Sequence, residues 1–133
     1  QALPKAKLWS VMERLHVMAA CHFFMACHTD RPKESYAVDF STAGWLEYVP
    51  MMRTRCGLDG TQVYRPRCRR TLNPAQLPFV QNVDGRRSIR EIAAAVMHSG
   101  EPRRASQADI EDFARRLFES LWLDDFVAMG RGR

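Results

Sequence analysis

The sequence predicts an α+β protein: three short strands and then three helices, behind an N-terminal helical extension. Three observations carry that expectation. Residues 51–58 and 61–65 read as strands of period two, with Asp59-Gly60 between them, a pair that favours a two-residue hairpin turn. Residues 73–121 hold three successive helix starts, each opened by a capping residue. Residues 8–19 repeat apolar side chains at helical spacing. The length of 133 residues fits one domain, or one small domain with an extension, and the 46% hydrophobic share supports a core.

Taken in order, Pro4 sits in the first turn of a helix reaching to about residue 27, with Leu8, Val11, Met12, Leu15, Met18 and Ala19 on one face. Residues 29–38, with Pro32, read as a loop. Ser41 or Thr42 caps a short helix over residues 45–49, stopped by Pro50. In the first strand Met52, Thr54 and Cys56 alternate with Arg53, Arg55 and Gly57, which puts arginines on the wet face. A third strand follows Pro66 over residues 68–72.

Asn73-Pro74 opens the next helix, with Asn as N-cap and Pro in the first turn; Leu77, Val80 and Val83 face inward and Asp84-Gly85 ends it. Ser88 and Glu91 have capping-box spacing ahead of Ile89, Ile92, Ala93 and Val96. Residues 99–105 read as a loop. Ser106 and Asp109 repeat the box before a helix whose apolar face is Ile110, Phe113, Ala114, Leu117 and Leu121. Residues 126–129 either pair back onto the sheet or pack on the core, and residues 130–133 fray. The domain reading is an extension over residues 1–50 and a module over residues 51–133.

Charge is uneven. The net +5 arises wholly from residues 49–133, and residues 53–70 hold six arginines (53, 55, 65, 67, 69 and 70) against Asp59 alone. A local positive field suits an acidic partner, or is a solvated strand surface. The longest apolar run, residues 17–27, contains His22 and is too short to span a bilayer. No secretory signal is recognisable, and the four cysteines form no CxxC pair. The expectation is a cytoplasmic chain with free thiols, a Cys56–Cys68 cross-strand disulfide being the alternative.

The order of three strands and three helices is that of a winged-helix module. With Leu72-Asn73, Asp84-Gly85, Ser88-Ile89-Arg90-Glu91-Ile92, Asp109-Ile110 and Phe126-Val127, residues 51–129 resemble the PqqD-like domains, also called RiPP recognition elements. The resemblance implies a noncatalytic module that binds the leader of a ribosomally made precursor peptide. In that family the leader adds as a strand to the third β-strand and lies against the third helix. Carried over, the receiving edge is Arg67, Cys68, Arg69, Arg70 and Thr71, and the helix wall is Glu111, Arg115, Phe118 and Trp122. Phe118 and Trp122 are then apolar anchors, or else core residues under the N-terminal helix. Arg67, Arg69, Arg70 and Arg115 attract leader carboxylates. The extension suggests a docking surface for a modifying enzyme subunit in a heterodimer. A multinuclear non-haem iron oxidase acting on peptidyl cysteine is the partner expected, with the iron in that enzyme and no cofactor in this chain.

Other chemistry finds less support. His16, Cys21, His22, Cys27 and His28 form the most metal-like cluster, but lack the close ligand pairs of a structural zinc site, so no metal site is expected. No Gly-rich phosphate loop, nucleophile elbow or H-E-x-x-H occurs, and no catalytic residue is assigned. DNA binding through the third helix is the main rival. That helix carries Asp109, Glu111, Asp112 and Glu119 against Arg115 and Arg116, an excess that repels phosphate. The remaining alternative is a C-terminal domain of a larger enzyme such as a methyltransferase.

Overall fold

The computed structural model describes residues 30, 37–99 and 106–131. The chain divides into two compact units, Gln1–Ser35 and Tyr36–Arg133. Apart from Asp30, every described residue belongs to the second unit. The expected N-terminal helix, its His/Cys cluster and most of the loop after it lie outside the described residues.

The second unit is α+β. A 3-10 turn, Ala43–Glu47, leads into β1, Tyr48–Met52. The strands β2 (Gly57–Asp59), β3 (Gln62–Arg65) and β4 (Cys68–Thr71) follow. Three helices come next: α1 Leu77–Gln81, α2 Ile89–Ser99 and α3 Gln107–Leu123. Strand β5, Val127–Arg131, closes the order. The strands form two antiparallel sheets, β1 with β5 and β2-β3-β4.

Residues 40–50 are part of this unit's core, since Phe40, Trp45, Leu46, Tyr48 and Val49 are all buried. A boundary at residue 50 therefore cuts through β1. The short helix expected over residues 45–49 is a 3-10 turn that starts and stops earlier, and Val49 and Pro50 lie in β1. Pro50 is tolerated there for a reason of parity. The Arg53 N–H donates to the Phe126 carbonyl at 3.1 Å, so odd-numbered residues turn their N–H towards β5. Pro50, which has none to give, faces the outer edge.

The single strand expected over residues 51–58 is broken into β1 and β2. The Cys56 N–H donates to the Arg53 carbonyl at 2.9 Å, and Arg55 adopts φ 64°. That turn sends the chain from one sheet to the other. The next loop is also shifted by one residue: Asp59 pairs with Gln62, leaving Gly60-Thr61 as the turn, with Gly60 at φ 56°. The third strand forms as expected, and residues 127–131 pair back on β1 rather than on the hairpin sheet.

The helix starts are local and agree with the capping pattern. The Asn73 side chain accepts from Gln76 N at 2.9 Å, and regular helix begins at Leu77 after this turn. Ser88 N and Oγ donate to Glu91 Oε2 at 2.7 and 2.9 Å. Ser106 and Asp109 form the reciprocal capping box of α3. At its other end, Phe126 N bonds to the Leu121 carbonyl and Asp125 N to that of Trp122, with Asp125 at φ 62°. This is a Schellman stop built on Asp in place of Gly. Val63, Val80, Ile89, Ile92, Leu121, Phe118, Phe126 and Val127 fill the centre of the core.

Candidate peptide-binding edge

Two open sheets leave four outer strand edges among the described residues, and local sequence sorts them. β1 contains Pro50, β2 Gly57 and β5 Gly130, while β4 reads Cys-Arg-Arg-Thr. Pro50 takes a donor from the outer edge of β1, whereas β4 holds neither Pro nor Gly, keeps every outward N–H and is free to add another strand. The parity of that edge follows from one hydrogen bond. The Leu72 N–H donates to the Thr61 carbonyl at 2.8 Å, continuing the register Arg65↔Cys68 and Val63↔Arg70. Cys68 and Arg70 therefore spend their backbone groups on β3. Arg69 and Thr71 turn theirs outward.

The side chains alternate likewise. Arg70 reaches α3, its Nη1 donating to Ser120 Oγ at 2.6 Å and to Asp124 Oδ2 at 2.9 Å. Arg69, on the opposite face, meets Asp59 and Gln62 at 3.3 Å each and lies 5.8 Å from the Tyr64 ring centroid. Three of the four arginines expected to attract a ligand are thus already engaged, Arg69 and Arg70 here and Arg115 on α3. Arg67 is exposed as the second residue of the two-residue loop Pro66-Arg67, at φ 65°, and has no partner among the described residues.

The helix wall is corrected. Arg70 of β4 reaches Ser120 of α3 and the cap residue Asp124 after it, and at about 100° per residue the stripe Glu111, Arg115, Phe118 and Trp122 lies on the side of the helix away from Ser120. There Trp122 is half-buried, 6.0 Å from Phe40 between ring centroids. Phe118 has no exposed surface and is core, so it offers a peptide no anchor without repacking. Arg115 is held by Asp112 at 3.2 Å and Glu119 at 3.3 Å, and Glu111 accepts from Gln107 at 2.8 Å. The side reached from β4 carries Ser120 and Asp124 instead, and helical spacing puts Arg116 one turn before them. The expected stripe followed helical spacing beside the apolar face, but spacing leaves open which of the two flanks faces the sheet.

Neither sequence pattern nor family resemblance singles out Tyr64 and Arg65. Together with Arg67, Cys68 and Arg69 they line a cavity of about 420 Å³ at the end of the β3–β4 hairpin. The Arg65 guanidinium carbon lies 5.8 Å from the Phe126 ring centroid, and its Nε is buried without an acceptor. The text Arg65-Pro66-Arg67 held the signal, since a two-residue loop brings its flanking side chains to one end of a hairpin. Cys56 and Cys68 are free, so the alternative disulfide is not formed. Among the described residues no group of three or more His, Cys, Asp or Glu side chains is placed to hold a metal ion. Nor is any described helix long and apolar enough to cross a membrane. No family model matches the chain.

Proposed function

We propose that this chain captures an extended peptide by adding it as a strand to β4, and presents it to a modifying enzyme. The observation that carries the reading is the uninterrupted β4 edge, with the backbone groups of Arg69 and Thr71 turned outward beside Ser120 and Asp124. Backbone pairing supplies affinity in such a complex, and alternate side chains supply register. The order βββααα supports a winged-helix, PqqD-like module as the frame. The peptide is then the leader of a ribosomally made precursor, and the enzyme a cytoplasmic multinuclear iron oxidase bound as a heterodimer. Duplex DNA has less support. Arg115 and Arg116 on α3 are both paired with neighbouring carboxylates, leaving few cations for phosphate.

Thr71→Pro tests the reading. The Thr71 N–H points away from β3, so proline removes a donor at the open edge and spares the β3–β4 ladder. A displayed library of random extended peptides is selected against the full chain and counter-selected against Thr71→Pro. Binders that lose affinity on this substitution, and that protect the Arg69 and Thr71 amides from hydrogen exchange, are the expected result. Selection of no peptide, or of peptides indifferent to Thr71→Pro, would overturn strand addition at β4.

A further inference from the structure

We infer that Gln76 limits the β4 edge to one short register, so that a captured peptide pairs through a core of about three residues, opposite Arg69, Arg70 and Thr71. This role rests on the strand addition proposed above, and it fixes how much of a peptide that edge accepts.

The edge is bounded at both ends. Before β4 the chain reverses through Pro66-Arg67, where proline has no N–H and Arg67, at φ 65°, has left the extended region. After β4 the Leu72 N–H still donates to the Thr61 carbonyl, so by alternation the next residue turned outward is Asn73. Its backbone groups are already spent. The Asn73 N–H donates to Gln76 Oε1 at 3.1 Å, and its carbonyl accepts from Gln76 N at 3.0 Å and Leu77 N at 3.1 Å. Asn73 Oδ1 in turn accepts from Gln76 N at 2.9 Å. This reciprocal pair is a capping box, and it serves two elements. It opens the turn into α1, and it sets the Gln76 oxygen where the carbonyl of a longer peptide would have to sit.

What stays open is the N–H and the carbonyl of Arg69 and those of Thr71. An antiparallel peptide meets these groups with two residues and carries one residue between them. The middle residue, opposite Arg70, turns its side chain to the side of Ser120 and Asp124. Its two neighbours turn theirs to the face of Tyr64 and Gln62. A peptide of any length is thereby held in one register.

Gln76→Ala is the decisive variant, since it frees the Asn73 N–H while the backbone N–H of residue 76 still serves Asn73 Oδ1. Gln76→Glu keeps an acceptor in place and is the control. The test follows amide hydrogen exchange in the full chain, free and with display-selected peptides that are sensitive to Thr71→Pro. In the free wild type the Asn73 amide should exchange more slowly than that of Thr71, and Gln76→Ala should remove the difference. Bound peptide should protect Arg69 and Thr71 and leave Asn73 unchanged. In Gln76→Ala the same peptide should protect Asn73 as well and bind about threefold tighter, the gain of one hydrogen bond. Gln76→Glu should behave as wild type. An Asn73 amide as fast as that of Thr71 in the free wild type would overturn the limit and leave strand addition standing. So would added protection of Asn73 by peptide in the wild type, or a Gln76→Ala chain that binds and protects as the wild type does. Peptides that bind without protecting Arg69 and Thr71, or selection of no peptide at all, would overturn strand addition and the limit with it.

Discussion

Asp84 closes the turn between α1 and α2 with one carboxylate. Its Oδ1 accepts from Arg86 N and Arg87 N at 2.9 Å, and its Oδ2 from Arg87 Nε at 2.8 Å. These bonds, that of the Arg87 backbone first, hold its pKa at about 2 against an ordinary 3.8. A carboxylate depressed in the folded state contributes stability above its unfolded value and loses it as pH falls through the folded one. The advantage of wild type over Asp84→Asn in urea midpoint should therefore be constant above about pH 5 and shrink between about pH 4 and pH 2. A gap independent of pH would rule out this role. Arg55 offers a second test, being exposed, unpartnered among the described residues and at φ 64°. Left-handed backbone costs a non-glycine residue about 1–2 kcal/mol, and the greater unfolded freedom of glycine returns about 0.5–1 kcal/mol of that. Arg55→Gly should raise stability by roughly 0.5 kcal/mol in chemical denaturation. At this scale the sequence made the positive arginine cluster visible but hid its neutralisation. Asp59 and Asp124 meet Arg69 and Arg70 only through tertiary folding, so reversing charge at Arg67, Arg69 and Arg70 together would break internal pairs as well as any ligand contact.

Elements whose signals are local were legible, and those that depend on distant pairing were not. Ser88 with Glu91 and Ser106 with Asp109 act across three residues, so the letters alone place both caps. Ser88→Ala removes a cap that is itself buried, and should cost about 1 kcal/mol, read as a lower urea midpoint with helix content retained. The break between β1 and β2 carries no Gly or Pro signal in Arg53-Thr54-Arg55-Cys56, since an arginine takes the left-handed position. The strand at residues 68–71 is legible because a short polar run follows Pro66, whereas its role as a receiving edge came only from the family resemblance. Its outward parity, and the α3 flank beside it, needed the register. Thr71→Pro belongs to this scale too. Its cost should stay below about 1 kcal/mol, since the ladder to β3 keeps every bond, and a far larger loss would show that the parity is wrong.

At the scale of the unit, β1 and β5 join segments separated by most of the described chain, from Tyr48↔Arg131 to Met52↔Val127. No local pattern in the sequence announces a pairing of that span. Removing residues 127–133 would strip β1 of its partner and the core of Val127, which has no exposed surface. The loss of several kcal/mol is comparable with the whole stability of a small domain, and the truncated chain should show no cooperative urea transition.

The same ribbon decides how the unit yields to force. Tyr48 enters and Arg131 leaves at one end of an antiparallel pair. Tension applied between those two residues loads the rungs in succession instead of together. The ribbon then opens like a zip, one rung after another, so a machine hauling on the carboxyl end meets its weakest resistance at the first pull.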